Sequence, residues 1–218
     1  MLDIQVKNQL IKILGADRYL DRLEEVACYA YDAFVVEALP DAVLFPETTA
    51  EVSELLKIAS RYKIPVTGRG AGTSLCGASI PIRQGIVLCL SKMDKIIEVN
   101  TRDRYIIVQP GVVNADVQKA LLPFRFFYPP DPGSMNTSTI GGNIAMNAGG
   151  PRCLKYGVTI DYVLGMEVVL ASGDIVRFGS RNVKDVTGYR LSSLFCGSEG
   201  TLGIITEAIL KVVPLPEA

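Results

Sequence analysis

The sequence of 218 residues predicts an α+β domain built of two lobes, with one large ligand bound between them. Strand-like apolar runs surround one amphipathic helix in the first half of the chain and form hairpins in the second half. Apolar residues make up 49% of the chain and charged residues 21%, which is enough for a substantial core. Glycine is concentrated in four segments, over residues 68–77, 129–134, 139–150 and 197–206.

The composition excludes several classes of function. A net charge of −1 argues against a nucleic-acid partner, because no basic excess is available to neutralise phosphates. No apolar run has the length of a transmembrane helix and the N-terminus lacks a signal-peptide core, so we expect a cytoplasmic protein. The chain has no histidine, which excludes histidine bases, histidine metal ligands and Ser-His-Asp triads within it. Five cysteines without a Cys-x-x-Cys pair predict reduced thiols, and no metal site is predicted.

The elements of the first lobe, about 35–110, follow from periodicity and from helix signals. Thr48 or Thr49 caps a helix that has Glu51 in its first turn. Strands on either side of this helix indicate a β-α-β unit with parallel strands. An N-terminal helical segment over 1–30 precedes the domain of 31–218. The predicted elements are one or two helices within 5–27, a helix over about 50–62, and strands over 41–46, 64–67, 85–90, 96–99 and 105–109.

The second lobe, about 111–216, begins with a helix over 113–122. Two strands, over 163–171 and 175–178, are predicted to form a hairpin across Ser-Gly-Asp at 172–174. A last strand over 204–213 ends at prolines.

The glycine segment at 68–77 follows a strand, and no long helix follows it. Consecutive backbone N–H groups in such a loop can form a concave nest for an anion, although a plain tight turn is an equal alternative. Thr73 and Ser74 add hydroxyl donors, while Arg69 either adds charge or pairs with an acid elsewhere. A dinucleotide G-x-G-x-x-G motif from Gly70 would need glycine where Leu75 stands, and the chain has no G-x-x-x-x-G-K-[ST] motif.

The other three segments carry weaker signals. Asp131 lies between prolines that fix its orientation, and it either contacts a ligand or forms a turn. The small residues of 139–150 let a flat ring or a phosphate lie on the backbone, or they permit close helix–strand packing. Glu199 lies between glycines just before the strand that begins at Ile204, and it either lines the site or is solvated.

Together these segments resemble the FAD-binding domain of the vanillyl-alcohol oxidase/PCMH flavoprotein superfamily. The likeness is strongest to the branch that holds the FAD-linked subunit of glycolate oxidase and D-lactate dehydrogenases, and it covers about residues 30–216. It implies a PCMH-type fold with a small parallel β-α-β lobe and a larger lobe with a mixed or antiparallel sheet. The motifs that carry it are 65–77, 129–133, 139–143, 147–150, 155–157 and 197–207.

The resemblance implies that backbone amides of the loop 69–74 bind the FAD pyrophosphate. Some relatives attach the flavin covalently through His where Thr73 stands or through Cys near Met135. Neither side chain here can form such a bond, so FAD is expected to be noncovalent. No catalytic residue is predicted. The expected cofactor-binding residues are Arg69, Gly70, Ala71, Gly72, Thr73, Ser74, Pro130, Asp131, Pro132, Ser138, Thr139, Gly141, Gly142, Asn143, Ala145, Asn147, Gly150, Glu199, Gly203, Ile204 and Ile205.

The resemblance also implies an FAD-dependent oxidoreductase acting on the CH–OH group of 2-hydroxy acids. Members of this branch continue into a C-terminal substrate cap domain. That domain carries the histidines and the arginine that bind and deprotonate the hydroxy acid, and it is expected to be absent here. The expected partners are a small 2-hydroxy acid bound through that cap, and further oxidase subunits or an electron-transfer protein. The chain alone is expected to be inactive. The alternatives are a non-catalytic nucleotide-binding module and, less favoured, an NADPH-dependent reductase of an enolpyruvyl sugar nucleotide.

Overall fold

Two β-sheets form the framework of the chain, of which a computed structural model describes residues 2–217. The strands are β1 Tyr19–Leu20, β2 Ala42–Leu44, β3 Val66–Arg69, β4 Ile86–Cys89, β5 Ile96–Asn100, β6 Tyr105–Val108, β7 Phe126–Phe127, β8 Val163–Val169, β9 Ile175–Gly179, β10 Ile204–Lys211 and β11 Val213–Pro214. The first sheet has the strand order β1-β2-β4-β3 and the second has the order β5-β6-β10-β8-β9. A short two-stranded ribbon pairs β11 with β7.

The helices are more numerous than the sequence predicts. The longest is α3, Thr49–Tyr62, which begins with a capping box between Thr48 and Glu51 and ends at Lys63 in the left-handed conformation. The helices are α1 Ile4–Leu14, α2 Leu23–Val26, α3, α4 Asn114–Leu121, α5 Ile140–Ala145, α6 Cys153–Tyr156 and α7 Ser192–Phe195.

The predicted β-α-β unit is confirmed, with one strand inserted. Strands β2 and β3 both run parallel to β4, which lies between them, and α3 makes the connection from β2 to β3. Every residue of β4 is buried, as expected for a central strand of a parallel sheet. Because β4 holds the centre, β3 becomes an edge strand, and its C-terminal end at Arg69 leads straight into the glycine segment.

The N-terminal segment is only partly helical. Helix α1 ends at Gly15, which has φ 84°, and the chain then forms edge strand β1, which pairs antiparallel with β2. The prediction of one or two helices over 5–27 is therefore wrong at 19–20. Strand pairing overrides local helical spacing here, because Tyr19 is buried where β1 joins the sheet.

The second sheet is antiparallel throughout, and its central strand β10 pairs with β6 and β8. The predicted hairpin of β8 and β9 is confirmed, with Gly173 at φ 89° in the turn. Strands β5 and β6 also belong to this sheet. Sheet membership therefore changes between β4 and β5, and not near residue 110 as predicted. The reason is the long-range pairing of β6 with β10, which local periodicity does not reveal.

Polar side chains and apolar packing join the two sheets. Val169 of β8 and Ile204 of β10 lie in the same apolar cluster as the residues of α1 and α3. The hydroxyl of Thr49 donates to Glu167 Oε1 at 2.7 Å, and the hydroxyl of Ser53 donates to the Gly173 carbonyl at 2.6 Å. These contacts fix α3 against the second sheet. None of the helices within residues 2–217 combines the length and the apolar composition that spanning a membrane requires.

Candidate functional site

A cleft of about 310 Å³ lies where the end of β3 meets the start of β10. All four glycine segments contribute to its walls, the segment 129–134 only through Ser134. The predicted residues that line it are Arg69, Gly70, Ala71, Gly72, Thr73, Ser74, Ser138, Thr139, Gly141, Gly142, Asn143, Ala145, Glu199, Gly203, Ile204 and Ile205.

The glycine loop 70–79 forms the first wall and has no regular secondary structure. Gly72 has φ 71° and Gly77 has φ 76°, which favour glycine at both positions. Among the described residues, the backbone N–H groups of 71–74 donate to no protein acceptor. Four consecutive free donors on the wall of a cleft are the arrangement of an anion-binding nest. This finding favours phosphate binding over a plain tight turn.

The Arg69 guanidinium lies beneath this loop and is buried, with 7% of the residue exposed. Its Nη1 donates to the Tyr31 carbonyl at 2.7 Å, and its Cζ lies 5.6 Å from the centre of the Tyr29 ring. A side chain at Gly72 would overlap the guanidinium, since a Cβ there would lie 2.6 Å from Arg69 Cζ. No carboxylate within residues 2–217 lies within 4.0 Å of the Arg69 nitrogens. Buried charges are usually paired, so a ligand anion would complete this site.

The second wall consists of 138–145, where helix α5 begins. Thr139 is the N-cap and accepts from the Gly142 N–H at 3.4 Å, and a side chain on Gly70 would overlap its hydroxyl. Ser138 Oγ and Asn143 Nδ2 are buried and have no hydrogen-bond partner. Leaving such groups unsatisfied costs about 1–3 kcal/mol each, so a polar ligand on this wall would be stabilised.

Packing explains two of the glycines that line the cleft. A Cβ on Gly141 would lie 2.6 Å from Pro110 Cβ, and one on Gly203 would lie 2.7 Å from Val168 Cγ1. The alternative of close packing therefore holds at Gly141, whereas a Cβ on Gly142 would meet only Thr139 Oγ1, at 3.4 Å. Glu199 is exposed at φ 54°, and its N–H donates to the Ala145 carbonyl at 2.9 Å.

Five predicted residues do not line the cleft. The carboxylate of Asp131 binds Arg152, with Oδ1 accepting from the backbone N–H at 3.1 Å and Oδ2 lying 3.3 Å from Nε. A side chain on Gly150 would overlap the Asp131 carbonyl, and Asn147 Oδ1 accepts from the Ile160 N–H at 2.9 Å. These contacts hold turns together. The five residues are Pro130, Asp131, Pro132, Asn147 and Gly150, and contact between them and a ligand stays a prediction.

Sequence reasoning missed several residues that line the cleft. Some of them adjoin predicted residues along the chain, so a wider margin around each motif would have found them. Leu90 and Pro110 carry no such signal, because only the fold brings the ends of β4 and β6 to the cleft. The missed residues are Gly68, Leu75, Cys76, Ala78, Ser79, Leu90, Pro110, Ser134, Met146, Ala148 and Gly200.

The fold and the cleft define a domain with a row of free backbone N–H groups on one wall of its cleft. The family described as "FAD binding domain" matches residues 40–179, which is more than half of the chain. The chain therefore belongs to the FAD binding domain family, with the predicted PCMH-type fold, and FAD is its cofactor. The nest, the buried guanidinium and the unpartnered Ser138 and Asn143 fit that group, whose pyrophosphate is an anion and whose other parts are rich in polar atoms.

Known relatives agree with this assignment. The chain is 50% identical to the glycolate oxidase subunit GlcD of Bacillus subtilis (strain 168), over 100% of this chain and 46% of that protein. It is 41% identical to the D-lactate dehydrogenase of Anaerostipes hadrus, over 91% of this chain and 42% of that protein. A solved structure of alkyldihydroxyacetonephosphate synthase matches with a TM-score of 0.88 at 25% identity, over 100% of this chain and 45% of that one. The chain thus spans less than half the length of each of these three proteins.

We expect acid precipitation of the FAD-loaded protein to release all of the flavin into the supernatant. The resemblance implies covalent attachment in some relatives through His where Thr73 stands or through Cys near Met135, and neither Thr73 nor Met135 forms such a bond. Absorbance of supernatant and pellet measures the outcome. Cys76 is exposed and lines the cleft, so Cys76→Ser is the control. Yellow colour that stays in the wild-type pellet and disappears in this variant would contradict the prediction and identify the linkage.

Proposed function

We propose that this chain is the FAD-binding part of a flavin-dependent dehydrogenase or oxidase of small 2-hydroxy acids, of the glycolate or D-lactate type. The observation that carries the proposal is the row of four free backbone N–H groups above the buried Arg69 guanidinium. The names of the relatives supply the substrate class. A cytoplasmic location and a further oxidase subunit or electron-transfer protein as partner are part of the same proposal.

In this proposal the two walls hold different parts of the cofactor. The N–H groups of 71–74 and the Arg69 charge bind the pyrophosphate, because donors already in place need no reorganisation when the anion arrives. Ser138 and Asn143 on the second wall supply hydrogen bonds to polar atoms of the dinucleotide. Bound FAD supplies the redox chemistry, and the protein supplies its binding and orientation.

The charged residues of the cleft are too few to bind and deprotonate a hydroxy acid, so we propose that residues outside the cleft do so. Oxidation of a hydroxy acid requires a cation for the carboxylate and a base for the hydroxyl proton. Among the described residues that line the cleft, the charged ones are Arg69 and Glu199. Arg69 is committed to the pyrophosphate in this proposal, and the exposed Glu199 remains as the single carboxylate.

We expect the FAD-loaded chain to oxidise glycolate and D-lactate with a turnover below about 1 s⁻¹, the lower end of the ordinary enzyme range. The assay follows reduction of an artificial dye acceptor. A chimera that joins this chain to the remaining part of the Bacillus subtilis relative should reduce the dye faster by at least about 10-fold. Turnover above about 1 s⁻¹ by the chain alone would show that the cleft contains a complete active site.

Titration of the flavin-free chain with FAD tests whether the chain binds this cofactor. Saturable quenching of flavin fluorescence with a Kd in the micromolar range or below supports it. A chain that stays colourless after addition of FAD and binds ADP instead would support the alternative, a non-catalytic nucleotide-binding module. If FAD binds and the chimera stays inactive, the cofactor assignment stands and the substrate class is wrong.

A further inference from the structure

The segment 31–34, which precedes the family match at 40–179, packs against the glycine loop 70–79 on the side away from the cleft. The N–H of Ala33 donates to the Ser74 carbonyl at 2.9 Å. Arg69 Nη1 donates to the Tyr31 carbonyl. The Phe34 ring lies close to Gly77, since a Cβ on Gly77 would lie 3.4 Å from Phe34 Cδ1. Loop 70–79 has no ladder hydrogen bonds of its own, so contacts of this kind hold it in place.

Asp32 is the buried polar residue of this segment, with 7% of it exposed. Its Oδ1 accepts from the Phe34 N–H at 2.8 Å, and its Oδ2 accepts from the Ser79 hydroxyl at 3.3 Å. Ser79 Oγ also lies 3.5 Å from Arg69 Nη1. A carboxylate is thus linked through one hydroxyl to the guanidinium beneath the anion nest. Asp32 itself does not line the cleft, whereas Ser79 and Arg69 do.

We propose that Asp32 is a positioning residue for FAD: through Ser79 and Arg69 it holds loop 70–79 in the shape that presents free N–H groups to the pyrophosphate. The inference rests on the proposed function, since it takes the cleft as the FAD site. A loop that is fixed before binding loses less conformational entropy when the ligand arrives, so its affinity is higher. A carboxylate in direct contact with a pyrophosphate would repel it, and Asp32 avoids that contact because it acts from behind the loop.

The Asp32→Asn variant tests the proposal. Asparagine keeps an oxygen for the Phe34 N–H but loses the charge and the acceptor for Ser79. We expect FAD to bind about 10-fold more weakly, which is about 1.4 kcal/mol. Ser79→Ala should have a similar effect, and the double variant should be little worse than either single variant, because both changes break one chain of contacts.

A matched control separates this role from loss of a turn. Asp185 Oδ1 accepts from the Thr187 N–H at 3.0 Å in the same i, i+2 arrangement, and Asp185 lies outside the cleft. Asp185→Asn should leave the FAD affinity unchanged. Two probes test whether the pyrophosphate loop is affected: ADP carries a pyrophosphate without flavin, and riboflavin carries flavin without phosphate. Asp32→Asn should weaken ADP binding about as much as FAD binding and leave riboflavin binding unchanged.

Several outcomes would overturn the inference. They are FAD binding by Asp32→Asn within about 2-fold of wild type, effects of Asp32→Asn and Ser79→Ala that multiply independently, or equal weakening of ADP and riboflavin. If Asp32→Asn does not fold, Ser79→Ala with the same probes decides the question. Failure of the unmodified chain to bind FAD would overturn the proposed function and this inference together, whereas normal binding by the variants would overturn this inference alone.

Discussion

The Gly72→Val variant is expected to bind FAD at least about 100-fold more weakly than the wild type, a loss of about 2.7 kcal/mol. Gly72 has φ 71°, which a β-branched residue adopts only with strain, and its Cβ would overlap the buried Arg69 guanidinium. The guanidinium cannot move without breaking its bond to the Tyr31 carbonyl. Fluorescence titration with FAD gives the affinity, and circular dichroism shows whether the fold is kept.

Gly188→Val is the matched control for this experiment. Gly188 also has φ 71°, but nothing lies within 4 Å of its Cβ position, and it lies outside the cleft. The Gly188→Val variant therefore has the same backbone strain, about 1–2 kcal/mol, without any effect on loop 70–79. The FAD affinity of this variant should equal that of the wild type. If Gly72→Val binds FAD like the wild type while folded, the pyrophosphate binds elsewhere and the assignment of loop 70–74 is wrong.

The Glu167→Ala variant is expected to lower the free energy of unfolding by about 2–4 kcal/mol. Glu167 is 8% exposed and accepts from the Thr49 hydroxyl at 2.7 Å and from the buried Thr206 hydroxyl at 3.0 Å. The substitution removes the acceptor of the Thr49 hydroxyl and the nearer acceptor of the Thr206 hydroxyl, which keeps only the backbone carbonyl of residue 167 at 3.4 Å. One link between α3 and the second sheet is lost with it. Arg177, which also binds Glu167, is 73% exposed in its side chain, so solvent screens its contribution. Urea denaturation at neutral pH measures the loss.

A surface pair provides the control for Glu167→Ala. Asp116 binds Lys119 at 2.7 Å, and both side chains are more than half exposed. Asp116→Ala should cost less than about 1 kcal/mol, because solvent screens exposed pairs. If Glu167→Ala costs no more than this control, the link between α3 and the second sheet contributes little to stability.

The stabilisation by Glu167 should depend on pH. Burial opposes its ionisation, but hydrogen bonds from Thr49, Arg177 and Thr206 outweigh burial and hold the pKa of this carboxyl below its ordinary value. A lowered folded-state pKa contributes stability that is present above the unfolded value of about 4.3 and is lost as the pH falls through the folded value. The difference in unfolding free energy between wild type and Glu167→Ala should therefore be constant near neutral pH and shrink below about pH 4.

Local signals were sufficient for the elements that depend on neighbouring residues. The capping box of Thr48 and Glu51 places the start of α3 within one residue of the prediction, because both partners lie within one turn. The hairpin of β8 and β9 is equally local, since a two-strand unit closes over Ser-Gly-Asp at 172–174. The end of α1 at Gly15 was missed, although glycine with positive φ is a common helix stop.

The sequence alone located the glycine loop, and the resemblance of its motifs to a known family gave the class of cofactor. The positive φ at Gly72 restricts residue type at that position, and such a restriction remains visible in the sequence. Only the tertiary structure decided that β5 and β6 join the second sheet, that Asp131 binds Arg152, and that Asp32 reaches Arg69 through Ser79. Each of these contacts joins residues that lie at least ten positions apart, where no periodicity or motif specifies the partner. Only the folded chain brings those partners together.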